Sequence, residues 1–100
     1  MTTDIFKQDA LAGKSILVTG GGSGLGKEIA KALVAKGAVV HICGRRLSVL
    51  EEAARDIGGK VHVHACDIRD ADQIDAMVSA IWASGPLTGL VNNAAANFIA

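Results

Sequence analysis

Aromatic side chains are scarce in this chain: two phenylalanines, one tryptophan and no tyrosine in 100 residues. Any core must therefore be built from Ala, Val, Ile and Leu, and half of all residues are hydrophobic. An excess of one charge is missing too. Ten basic residues balance ten acidic ones, and no basic run exceeds Arg45-Arg46, which argues against non-specific nucleic-acid binding. No apolar run reaches membrane-spanning length. Met1 to Asp9 is polar and carries Asp4 and Asp9, unlike a secretory or mitochondrial presequence. The only two cysteines, Cys43 and Cys66, lie near the ends of expected strands. They read as buried thiols of a reducing compartment rather than as a disulfide framework. These features describe a soluble cytoplasmic chain, either one small domain or a piece of a larger one.

What the chain has in concentration is glycine, in Thr19-Gly20-Gly21-Gly22-Ser23-Gly24-Leu25-Gly26. The segment follows the apolar run Ser15-Ile16-Leu17-Val18 and opens a helical pattern through Leu25, Ile29, Ala32 and Leu33. Strand, glycine turn and helix together present bare backbone N–H groups and a helix N-terminus to a phosphate. Glycine allows the close approach that a Cβ would block. Gly20, Gly24 and Gly26 form G-x-x-x-G-x-G, and no register gives G-x-G-x-x-G. A phosphate-binding loop of the G-x-x-x-x-G-K type is the rival, since Lys27 follows Gly26. Glu28 then stands where that loop needs a Ser or Thr for magnesium, and its carboxylate would oppose the nucleotide.

Strand and helix alternate along the rest of the chain. The second strand is expected over 39–43, a helix over about 48–57 with Val49, Leu50, Ala53, Ala54 and Ile57 on one side, and a third strand over 61–66. Asp70 with Gln73 has capping-box spacing. Ile74, Met77, Val78, Ile81 and Trp82 follow at helical period as packing residues, until Gly85-Pro86. The fourth strand is expected over 87–91. Strands joined by single helices pair in parallel through right-handed crossovers. The expected fold is α/β, a doubly wound parallel sheet of order 3-2-1-4, with a nucleotide at the carboxyl ends of strands one and four. The sequence ends inside an apolar run beyond strand four, so it reads as the front part of a larger domain. His62 and His64 share a strand face near His41. A metal would need a further ligand that spacing does not supply, and no metal is assigned.

Three motifs carry a resemblance to the short-chain dehydrogenase/reductase family. The turn Thr19 to Gly26 resembles its T-G-x-x-x-G-[IL]-G, Asp67-Ile68 its Asp-aliphatic pair, and Asn92-Asn93-Ala94-Ala95 its N-N-A-G, with Ala95 for the last glycine. The resemblance runs from about Leu11 to the last residue and implies a Rossmann-type fold. It implies that Gly20, Gly22, Ser23, Gly24, Leu25 and Gly26 hold the cofactor pyrophosphate. Asp67 would accept from the adenine amino group, and Ile68 would offer its main chain to the ring. Asn92 would brace the strands, with Asn93, Ala94 and Ala95 at the cofactor and Ala94 at the ribose. Asp67 also has an ordinary alternative as a turn or cap residue before Asp70. The family's catalytic Tyr-x-x-x-Lys and Ser lie beyond strand four, so these residues hold cofactor without supplying that proton chemistry.

In such folds a carboxylate ending strand two binds the ribose hydroxyls of NAD. That position is Gly44 here, followed by Arg45 and Arg46. A guanidinium suits a 2′-phosphate, so NADP(H) is expected over NAD(H), with Arg45 first and Arg46 second. Asn92 to Phe98 also resembles the N-N-A-A-G-N-F segment of the 2,4-dienoyl-CoA reductase branch, with Ala96 for glycine. Asp4-Ile5-Phe6 and Leu11-Ala12-Gly13-Lys14 resemble peroxisomal and bacterial members. The resemblance implies an acyl-CoA thioester substrate, a homo-oligomer, and Asn97 donating to the thioester carbonyl as charge develops there. Other readings stay open: a reductase of a ketone, alcohol or 3-oxoacyl substrate with Asn97 as a turn residue, or a non-catalytic NADP(H)-binding module. A peroxisomal location remains open beside the cytoplasmic one.

Overall fold

In a computed structural model, which describes residues 10–93, the sheet is built from β1 (Ser15–Thr19), β2 (Val39–Gly44), β3 (Val61–Ala65) and β4 (Gly89–Asn92). The helices between them are α1 (Gly24–Ala35), α2 (Leu47–Ile57) and α3 (Ala71–Ser84). All pairings are parallel and the order is β3-β2-β1-β4, as the alternation of elements requires. Successive side chains leave a strand on opposite faces, so the sheet carries two cores. Val18, Val40 and Ile42 pack with Ala30 of α1 and with Leu50 and Ala53 of α2. Leu17, Cys43 and Cys66 pack with Met77 and Ile81 of α3 on the other face.

Local chemistry sets the element ends. Asp70 caps α3, its Oδ1 accepting from the N–H groups of Asp72 (3.0 Å) and Gln73 (3.3 Å). The box does not close in the usual way, because Gln73 Oε1 accepts from the N–H of Asp67 at 2.8 Å. The helix is thereby tied to the end of β3. The fourth strand starts at Gly89, later than the sequence suggests. Pro86 has no N–H, and at Thr88 the hydroxyl enters the pairing: it accepts from Ser15 N at 2.6 Å and donates to Ser15 O at 2.9 Å.

Trp82, expected to pack, faces outward and is 55% exposed; Leu25, at the start of the α1 pattern and assigned to the cofactor, is 66% exposed. In α1 the small residues Gly26 and Ala30 are the buried ones, which lets the helix axis approach the sheet closely, while Ile29, Leu33 and Val34 fill the flank. Ala32, also on the expected stripe, is exposed. In α3 the Met77–Ile81 spacing points to the sheet, and Trp82 lies about 100° further round the helix.

Candidate functional site

The carboxyl ends of β1 and β2 and the start of α2 enclose a cleft of about 430 Å³. Gly20, Gly22 and Ser23 form one wall, Cys43, Gly44, Arg45 and Arg46 another, with Val49 and Leu50 behind. Backbone bonds step across the strand ends: Gly20 N–H donates to Cys43 O at 3.0 Å, and Cys66 N–H to Gly44 O at 2.8 Å. Asp67 is thus held on the same edge as the turn, one strand beyond Arg45.

The turn is shaped by two glycines in particular. Gly24 has φ +56°, and a Cβ there would meet nothing within 4 Å, so its surface is open to a ligand. Gly26 is the reverse: a Cβ would collide with the Gly20 carbonyl and lie 2.7 Å from Asn93 Nδ2. Ser23 caps α1 in an extended conformation without a side-chain bond, and the first turn contains no acidic residue. The positive end of the helix therefore keeps N–H groups available for an anion. Gly22, Ser23, Gly24 and Leu25 are half-buried to exposed around it.

Beneath the turn, Thr19 is only 7% exposed; its hydroxyl donates to Asn92 Oδ1 at 3.1 Å. Asn93 Nδ2 donates to Gly20 O at 3.4 Å. Asn92 and Asn93 together clamp β4 to the turn. The family resemblance implies Asn92 as a brace, whereas Thr19 is legible in the sequence only as the first letter of the glycine motif. Gly21 was missed as well: a Cβ there would come within 2.5 Å of Ile42 Cγ2. Lys27, the lysine of the rival loop, pairs with Asp56 Oδ2 of α2 at 2.6 Å and so is committed to helix–helix contact.

The electrostatics of the cleft are set by cations. Arg45 and Arg46 are exposed, and Arg46 is the N-cap of α2. Arg69 binds Asp67 through side chain and backbone, and with a further contribution from Arg45 holds its carboxyl down at about 2. Asp67 is therefore an ionised acceptor at neutral pH. Burial, then the neighbouring Cys66 sulfur, pushes the Cys43 thiol up to about 11, so this lining group is an unreactive thiol. Both cysteines are free and buried. Ile68 turns its side chain into the α3-side core. The three histidines meet: His41 and His62 stack with centroids 5.0 Å apart, and His41 Nδ1 lies 2.9 Å from His64 Nε2. Among the described residues, no group of three or more His, Cys, Asp or Glu side chains is arranged to hold a metal. Ala94, Ala95 and Asn97 lie outside the described residues, as does the Asp4-Ile5-Phe6 segment.

A parallel sheet of this order with a glycine turn at its carboxyl edge defines a dinucleotide-binding α/β fold. The model of the short chain dehydrogenase family matches residues 14–99, and the chain belongs to that family. It is 42% identical over 101 residues to a probable 2,4-dienoyl-CoA reductase of Caenorhabditis elegans, covering 95% of this chain and 33% of that one. It is similar in structure to the citronellol catabolism dehydrogenase of Pseudomonas aeruginosa PAO1, with TM-score 0.84, 43% identity and coverage of 89% and 39%. A metagenomic short-chain oxidoreductase in complex with NADP aligns with TM-score 0.80, 36% identity and coverage of 84% and 40%. The chain spans 27% to 34% of the length of curated relatives it matches. No described helix is long and apolar enough to cross a membrane.

The residues present fit the family's nicotinamide dinucleotide. The open Gly24 surface and the uncapped start of α1 suit a pyrophosphate. The end of β2 offers cations where a carboxylate would repel a phosphate.

Proposed function

We propose that this chain is the cofactor-binding part of one Rossmann-type domain in an NADP(H)-dependent oxidoreductase. The observation that carries the reading is the end of β2, where Gly44 is followed by Arg45 and Arg46 on the cleft wall and no carboxylate is among the residues lining the cleft. Gly20, Gly22, Ser23, Gly24, Leu25 and Gly26 receive the pyrophosphate, and Arg45, assisted by Arg46, receives the 2′-phosphate. Asp67 accepts from the adenine amino group, Ile68 meets the ring through its main chain, and Asn93, Ala94 and Ala95 border the cofactor, with Ala94 at the ribose. The bound cofactor supplies the hydride.

The substrate we assign is a 2,4-dienoyl-CoA thioester, with Asn97 donating to its carbonyl as charge develops. The similarity to the nematode protein named for that reaction supports this choice. By family likeness the complete protein is a homo-oligomer. A second reading, oxidation of an alcohol or reduction of a ketone, is favoured by the 43% identity to the citronellol catabolism dehydrogenase. The test mixes the full-length protein with NADPH and 2,4-hexadienoyl-CoA and follows loss of absorbance from cofactor and diene. Turnover is expected, slowed about a hundredfold in Asn97→Ala. Turnover of alcohols or ketones but not the thioester selects the second reading.

A further inference from the structure

Asp67 is held by more donors than a turn residue needs. Its Oδ1 accepts from the Arg69 backbone N–H and from Arg69 Nε, both at 3.0 Å. Its Oδ2 accepts from Arg69 Nη2 at 2.9 Å. The main chain is fixed as well, with Asp67 N–H on Gln73 Oε1 at 2.8 Å and Asp67 O accepting from Asp70 N–H at 3.0 Å. A carboxylate offers about four lone-pair sites, two on each oxygen. Arg69 fills both on Oδ1 and one on Oδ2, which leaves a single acceptor direction.

Stability is a poor explanation for this arrangement. The Arg69 side chain is 71% exposed and that of Asp67 27%, and exposed ion pairs contribute little to folding. What a planar two-pronged contact does supply is orientation, because two parallel bonds fix the carboxylate plane where one would let it rotate. We propose that Arg69 is a positioning residue of the cofactor site, holding Asp67 so that the one remaining lone pair of Oδ2 receives the adenine 6-amino group. The proposal rests on the adenine role given to Asp67 above and adds to it the residue that selects an amino donor at that point. A ring bearing an oxo group there would meet an acceptor with an acceptor.

The test compares binding of NADPH with binding of its hypoxanthine analogue, in which an oxo group replaces the 6-amino group, to the full-length protein. The wild type favours the adenine form. Arg69→Ala should reduce that preference about tenfold, the order of one hydrogen bond to a charged group. Arg69→Lys should restore it only in part, since an ammonium cannot grip both oxygens in one plane. A purely structural role would weaken both cofactors equally and leave their ratio unchanged. A preference lost in Asp67→Ala but intact in Arg69→Ala overturns the positioning role while the adenine role stands. A preference intact in Asp67→Ala overturns the adenine role itself.

Discussion

Gly24 and Gly26 stand two residues apart in one turn and are required for different reasons. Gly26 closes the turn from behind, where a methyl would strike the Gly20 carbonyl. Gly24 faces outward at a positive φ with empty space around it. Gly26→Ala should therefore cost stability, about 1–3 kcal/mol by overpacking, together with cofactor affinity. Gly24→Ala should cost roughly 1–2 kcal/mol of backbone strain and more than tenfold in NADPH affinity, because its methyl enters the space left for the ligand. Thermal melts beside NADPH titrations of the two variants check this. Equal affinity losses that simply track stability would contradict it. The sequence shows that both glycines belong to one motif. It does not say which touches protein and which touches ligand, because that depends on where Asn93 arrives at the far end of β4.

Among the elements, β3 carries the most condition-sensitive contact. His41, 3% exposed, sits between His62 and His64. Burial first, then the neighbouring His64 and His62 rings, lowers its pKa to about 4; burial and His62 lower that of His64. No carboxylate contributes to either shift. The neutral ring is the folded form, so its stabilisation is complete above the unfolded value near 6.5 and is lost as pH falls from there towards 4. The His41–His64 bond also requires one neutral ring nitrogen as acceptor. Chemical denaturation of the full-length protein at pH 7.5 and pH 4.5 should show a loss on acidification that is smaller by about 2 kcal/mol in His41→Gln than in the wild type, with the share of His64 remaining. The same acid loss in both proteins would remove His41 as its cause. Alternation along β3 places His62 and His64 on one face, and the strand order brings His41 beside them. Ring stacking was not legible, because it depends on the β2–β3 register. Trp82 shows the converse limit. Helical period put it on the α3 stripe, but the sheet touches only the narrower line through Met77 and Ile81.

At the scale of the molecule, the order β3-β2-β1-β4 follows from the alternation of elements and the handedness of crossovers, and the sequence was sufficient for it. The site at the carboxyl edge follows from the same topology. What required the structure was the network joining strand ends: Thr19 to Asn92, Gly20 to Cys43, and Cys66 to Gly44. Each joins side chains or backbone groups whose pairing no local pattern encodes. Together they set a glycine turn, a pair of arginines and an ionised carboxylate along one edge, and the central claim is that this edge is built for a phosphorylated dinucleotide. The most direct measurement is the dissociation constant of NADPH against NADH for the full-length protein and for Arg45→Ala. The account predicts a preference for NADPH of about tenfold or more in the wild type, the scale of one charge-assisted bond to phosphate, collapsing in the variant while NADH binding changes little. Equal dissociation constants for the two cofactors in the wild type would contradict it.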